Sequence, residues 1–150
     1  MSTSTYAGPV SVSPGDEMLD RKLFTPPKVA MASLLGGPLA GFLLIAANFK
    51  RLADASAAKG SVAAGIVGTA LLWITAYLDP LQLASCKGII ATAVAAVVMY
   101  LVADVLQGPE LKAHALAGGE TASGWTAVEV AVLTAAAQLP VMLGITLLIG

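Results

Sequence analysis

The chain has 150 residues, of which 57% are hydrophobic and 11% charged, with a formal net charge of −1. A soluble domain carries about 25% charged residues. Less than half of that charge, at a mean hydropathy of +0.84, excludes a disordered chain, a nucleic-acid binder and an ordinary soluble enzyme.

The composition predicts an all-α integral membrane bundle of four transmembrane helices behind a disordered tail. A hydrocarbon core about 30 Å thick needs roughly 20 apolar residues per helix, each rising about 1.5 Å. Residues 1–23 are rich in Ser, Thr, Gly and Pro and then charged, and are expected to be disordered. The first ten carry no Lys, Arg or apolar core, so a cleavable secretory signal is not expected. Residues 24–150 are expected to form the membrane domain, with spans near 29–47, 61–78, 81–106 and 126–149.

The first span, Val29 to Ala47, opens behind Thr25-Pro26-Pro27 and closes at Asn48 and Lys50-Arg51. Thr25 can cap, and a proline in the first turn loses only an N–H that had no partner. The second span ends with Trp73 and Tyr77, whose rings suit the interface, and stops at Asp79-Pro80. The third follows in a tight hairpin; if Asp79 caps and Pro80 opens it, Lys87 lies inside and snorkels or pairs with Asp79. The third loop should hold a short surface helix, started by Pro109 and ended by Gly118-Gly119. Trp125 marks the entry to the fourth span. These continuous apolar runs do not alternate as barrel strands do. With four crossings, Lys and Arg divide four against four, and both termini are placed in the cytoplasm only by a weak lean.

Few residues could carry chemistry. Ser33, Gly37 and Gly41 share one face of the first span, with Gly36 and Ala40 beside them; such a stripe lets another backbone approach closely. Pro38 frees the Leu34 carbonyl. Gln138 lies about three turns into the fourth span beside Pro140, and is read either as interhelical glue or as one wall of a polar intramembrane site. Glu129 is acidic within a span, but its spacing from Thr126 is that of a capping box. His114 is expected to face solvent in the third loop. One cysteine, Cys86, and one histidine cannot build a Cys/His zinc site. No catalytic, cofactor-binding or metal-ligating set emerges.

The block Pro26, Val29, Ala30, Ala32, Gly36-Gly37-Pro38-Leu39-Ala40-Gly41 and Asn48-Phe49-Lys50 resembles the first span of a family of small bacterial multi-span membrane proteins of no established activity. Gln107-Gly108, His114, Gly118-Gly119 and Ser123-Gly124-Trp125 resemble the same family's third loop. The resemblance implies a multi-pass protein of the bacterial inner membrane and supplies no catalytic or ligand residues. The expected function is structural or accessory rather than enzymatic. It would act through helix–helix association by the small-residue stripe of the first span within the lipid bilayer, with a second copy or a membrane-protein partner, and without nucleic acid. A small oligomeric transporter or channel is the alternative.

Overall fold

The computed structural model describes residues 21–78 and 86–149. Within them lie four helices: α1 (Pro26–Arg51), α2 (Ala55–Leu78), α3 (Cys86–Leu116) and α4 (Gly124–Ile149). Each is long and apolar enough to cross a membrane, and the chain is a multi-pass, all-α membrane protein. The expectations for residues 1–20, for a helix start at Asp79-Pro80 and for the Lys87 side chain lie outside the described residues.

α1 is the centre of the bundle. Half of its apolar window is buried, against 17%, 17% and 11% in α2, α3 and α4. It packs on all three, while they make little contact with one another. It is also broken: Gly37 has φ 73° and ψ −176°, a non-helical conformation, and Pro38 follows. A straight helix of 26 residues would hold its ends about 39 Å apart at 1.5 Å per residue. Yet the Phe24 N–H donates to Asn48 Oδ1 at 2.8 Å, and Asn48 Nδ2 donates to the Phe24 carbonyl at 2.7 Å. α1 therefore folds back at Gly37. One arm, 26–36, runs inward and the other, 38–51, returns to the same face. The arms touch near the tip, where a Cβ built on Gly41 would lie 1.9 Å from Ser33 Oγ.

The face that receives both arms is clasped shut. Leu23 and Thr121 form a parallel bridge, with the Leu23 N–H donating to the Glu120 carbonyl at 3.3 Å and the Ala122 N–H to the Leu23 carbonyl at 2.8 Å. Lys28 Nζ donates to Thr121 Oγ1 and to the Ala122 carbonyl. Arg51 donates to the Lys22 carbonyl, and its guanidinium lies 5.0 Å from the centre of the Phe24 ring. Leu23 and Phe24 are only 1% and 2% exposed. The expected disordered tail is thus corrected at its end: burial of two large apolar side chains and a bridge hold residues 21–23 in place.

Short connections on this face set the remaining directions. α1 ends in a Schellman motif, with the Asp54 N–H donating to the Phe49 carbonyl and the Ala53 N–H to the Lys50 carbonyl. The left-handed position is held by Ala53 (φ 65°) rather than glycine. Asp54 Oδ1 then caps α2, accepting from the Ala57 N–H at 2.8 Å. α2 runs to the opposite face and α3 returns. Pro109 does not open a separate surface helix as expected; α3 continues through it to Leu116. A proline disfavours helix at the preceding residue by clashing with its Cβ, and the preceding residue, Gly108, has none. Gly118 (φ 85°) closes α3 in a second Schellman motif, with the Gly119 N–H on the His114 carbonyl and the Gly118 N–H on the Ala115 carbonyl. His114 accordingly sits in the last turn of α3, its Nε2 3.2 Å from the Glu120 carbonyl, not free in a loop. The expected Thr126–Glu129 capping box is also displaced. α4 begins at Gly124, and Ser123 Oγ accepts from the Trp125 N–H at 3.2 Å, which puts Thr126 inside the helix.

The core lies between the α1 arms and the near halves of α3 and α4: Phe24, Val29, Leu44, Ile45 and Met99 with Ala32, Ala40, Ala103, Ala122, Ala127 and Ala131. Among the described residues, burial stops at Thr69 on α2, Ala96 on α3 and Thr134 on α4. Beyond that depth α1 is absent, and Ile74, Val94 and Leu143 are 55%, 56% and 62% exposed.

Candidate functional site

The tip of the α1 hairpin releases backbone polar groups deep within the apolar bundle. At a rise of 1.5 Å per residue, Pro38, Thr69 and Gln138 each lie about 20 Å along their helices from the clasped face, near the middle of a bilayer. A broken helix there must have its freed groups satisfied by neighbours, because no water is at hand.

Two side chains do so. The Leu39 N–H, first free donor after the break, donates to Thr69 Oγ1 at 3.1 Å. The Gly36 carbonyl, last of the inward arm, accepts from Gln138 Nε2 at 3.0 Å, and the same nitrogen reaches the Thr134 carbonyl at 3.1 Å. α2 and α4 thus each supply one polar group to opposite sides of one turn. Two small clefts flank Gln138. One, of about 230 Å³, is lined by Leu39, Ile66, Thr69, Ala70, Trp73, Ala137 and Val141 as well. The other, of about 200 Å³, is lined by Leu35, Gly36, Gly37, Ala135, Leu139 and Met142 as well.

The small-residue stripe is used inside the chain. A Cβ on Gly36 would lie 2.6 Å from the Ala131 carbonyl oxygen, so this glycine admits the α4 backbone. Gly41 admits Ser33 of the other arm and Met99 of α3. Ala40 is fully buried, and Ser33 Oγ donates within its own helix to the Val29 carbonyl at 2.9 Å. Gly37 has a different reason: its φ and ψ fall in a region essentially restricted to glycine. On α2, Gly65 matches this design, since a Cβ there would meet Phe42 Cβ at 2.8 Å.

The structure therefore brings Gln138, Gly36, Gly37 and Pro38 together and leaves Glu129 apart. Glu129 is exposed on α4, nine residues before Gln138. Thr69 is the member that sequence reasoning missed; a lone threonine in an apolar run carries no signal until its partner is known.

A second polar cluster sits under the clasp. Asn48 Nδ2 also donates to Gln107 Oε1 at 2.8 Å, and Gln107 Nε2 donates to the Ile45 carbonyl at 2.9 Å. Asn48 and Gln107 are fully buried. Sequence reading placed Asn48 as a span terminus and Gln107 in a loop, because their pairing needs the fold-back of α1.

Among the described residues, no buried side-chain nitrogen or oxygen lacks a partner, and no group of three or more His, Cys, Asp or Glu could hold a metal ion. The tip offers amide, hydroxyl and carbonyl groups and no ionisable one. Such a set can bind by hydrogen bonding and hold a helix break open, but it has no acid or base of its own. Compared with protein-family models, curated proteins and solved structures, the chain gives no match.

Proposed function

We propose that this is a small structural or accessory protein of a bacterial inner membrane, akin to the small multi-span family that its first helix resembles. The clasped hairpin serves as a rigid, self-contained anchor, and the far halves of α2, α3 and α4 associate with a second copy or another membrane protein. One observation carries the reading: burial ends at the depth of the hairpin tip, and beyond it the described parts of α2, α3 and α4 pack little on one another and leave Ile74, Val94 and Leu143 exposed. Association therefore uses those half-helices rather than the α1 stripe, which the bundle already covers. In a Cys86→Ser background, cysteines at Ile74, Val94 and Leu143 are expected to crosslink in native membranes, and a cysteine at Gly41 is not. Monomeric, uncaptured protein at all three far positions would overturn the reading.

The fold-back also supports an orientation. A hairpin that returns to its own face leaves three crossings. Arg21, Lys22, Lys28, Lys50, Arg51, Lys59 and Lys112 then share the clasped face, and Lys87 alone lies opposite: seven of the chain's eight Lys and Arg against one. Positive charge beside short loops favours the cytoplasm, so the clasped face is cytoplasmic and the C-terminal end of α4 is outside. A reporter fused after Gly150 should be active only outside the cytoplasm.

A second reading, a small oligomeric transporter or channel, is supported by the helix broken at mid-depth with two clefts beside Gln138. It requires flux of some solute into liposomes and a change in that flux in Gln138→Leu. Silent liposomes across a solute panel would dismiss it.

A further inference from the structure

Between the returning arm of α1 and the start of α2 runs a groove of about 390 Å³, lined by Leu43, Ala46, Ala47, Val62, Ala58, Lys50 and Lys59. This falls within the roughly 300–1,000 Å³ of ligand pockets. Its chemistry is graded with depth. Lys50 stands in the last turn of α1 and Lys59 in the second turn of α2, at the clasped face. Leu43 lies seven residues further in, about 10 Å deeper. The wall between is apolar.

Of the cations on this face that are free of an ion pair among the described residues, Lys50 and Lys59 line the groove, and Lys112 does not. Lys22 pairs with Glu120, Lys28 is held by Thr121 and Ala122, and Arg51 is held by Lys22 and the Phe24 ring. Lys50 and Lys59 are exposed, and neither takes part in an ion pair among the described residues. Two uncommitted ammonium groups at headgroup level over an apolar slot match a molecule with a phosphate at one end and a hydrocarbon chain at the other. Basic pockets between helices at the cytoplasmic side bind acidic lipid headgroups in this way. A free anion would gain nothing from the apolar wall, and a zwitterionic lipid, whose own ammonium offsets its phosphate, would gain less from the lysines than an anionic one.

We propose that this groove binds one anionic glycerophospholipid, its phosphate between Lys50 and Lys59 and an acyl chain along Leu43, Ala47 and Val62. The proposal rests on the clasped face lying at the headgroup level, and not on the accessory role.

The test uses the full chain purified in mild detergent, with phosphatidylglycerol and phosphatidylcholine of identical chains added in turn and bound lipid counted by native mass spectrometry. One phosphatidylglycerol should remain bound where phosphatidylcholine does not, and excess inorganic phosphate should not displace it. Lys50→Gln and Lys59→Gln should each weaken retention about five-fold, as removing one cation near an anionic surface does. Lys112→Gln, on the same face but outside the groove, should leave it unchanged. Ala47→Leu and Ala58→Leu fill the slot without altering charge, and each should weaken retention while the helical circular dichroism is kept. Equal retention of the two lipids, displacement by phosphate, an equal loss in Lys112→Gln, or full retention in both leucine variants would overturn the proposal.

Discussion

Replacing Gly37 by alanine separates a folded-back α1 from a continuous one by the sign of its effect. In an unbroken helix, Gly→Ala stabilises by about 0.5–1 kcal/mol, since alanine loses less conformational freedom. Here Gly37 holds φ 73° and ψ −176°, and an L-residue in that region costs on the order of 1–3 kcal/mol. Steric clash adds nothing, because the nearest atom to the new Cβ would be Gln138 Oε1 at 4.0 Å. The expected result is a loss of about 1–3 kcal/mol from backbone conformation alone. Gly36→Ala is the companion variant. Its backbone is helical, but its Cβ would meet the Ala131 carbonyl oxygen at 2.6 Å and Ala131 Cα at 2.9 Å. These are backbone atoms, so α1 and α4 must move apart, at a cost typical of overpacking, about 1–3 kcal/mol. Unfolding of the full chain in mixed micelles titrated with dodecyl sulfate, followed by far-ultraviolet circular dichroism and by Trp73 and Trp125 fluorescence, measures both. A Gly37→Ala protein as stable as the wild type, or more so, would refute the fold-back.

Three further outcomes follow from particular contacts. Gln138→Leu should destabilise by about 0.6–1.7 kcal/mol, the range for hydrogen bonds between membrane helices, because the Gly36 carbonyl loses its donor; Thr134→Val, which removes only a bond to Val130 of its own helix, should be near neutral in the same titration. Ala53→Gly should raise stability by about 1 kcal/mol, since φ 65° is strained for alanine and free for glycine; an unchanged midpoint would argue against the Schellman turn between α1 and α2. The Lys22 ammonium, by hydrogen bond and then by charge, holds the Glu120 carboxyl below its ordinary value. A depressed carboxyl contributes above the ordinary glutamate range and ceases to as pH falls through its lowered value; the protection of the Leu23 and Ala122 amides, taken relative to the intrinsic exchange rate at each pH, should therefore fall on acidification, and Glu120→Gln should remove that dependence.

Much of the fold was legible from local pattern. Four apolar runs bounded by Pro, Gly and charge marked four helices, because the need to bury every backbone hydrogen bond in lipid leaves little else for such runs to form. Gly118 as a helix stop and Gln138 as a residue that bonds another helix were equally local inferences, and both hold in the structure. Pro109 is the exception: a proline marks a helix boundary through its clash with the preceding Cβ, and Gly108 has none, so α3 runs through it.

The path of α1 was not legible. A Gly-Gly-Pro within 26 apolar residues is compatible with a kinked span and with a full reversal, and the two differ only in long-range contacts. The reversal is decided by Asn48 meeting Phe24 across 24 residues, by Gln107 meeting Asn48 across 59, and by Thr69 and Gln138 receiving the broken ends. None of these pairs has a sequence spacing that announces it. The amino-acid sequence alone determined that this chain lives in a membrane as helices, since burial of apolar area is a property of composition. Tertiary packing alone decided where the first helix turns back. With that turn, the proposed three-crossing arrangement divides Lys and Arg seven against one instead of evenly.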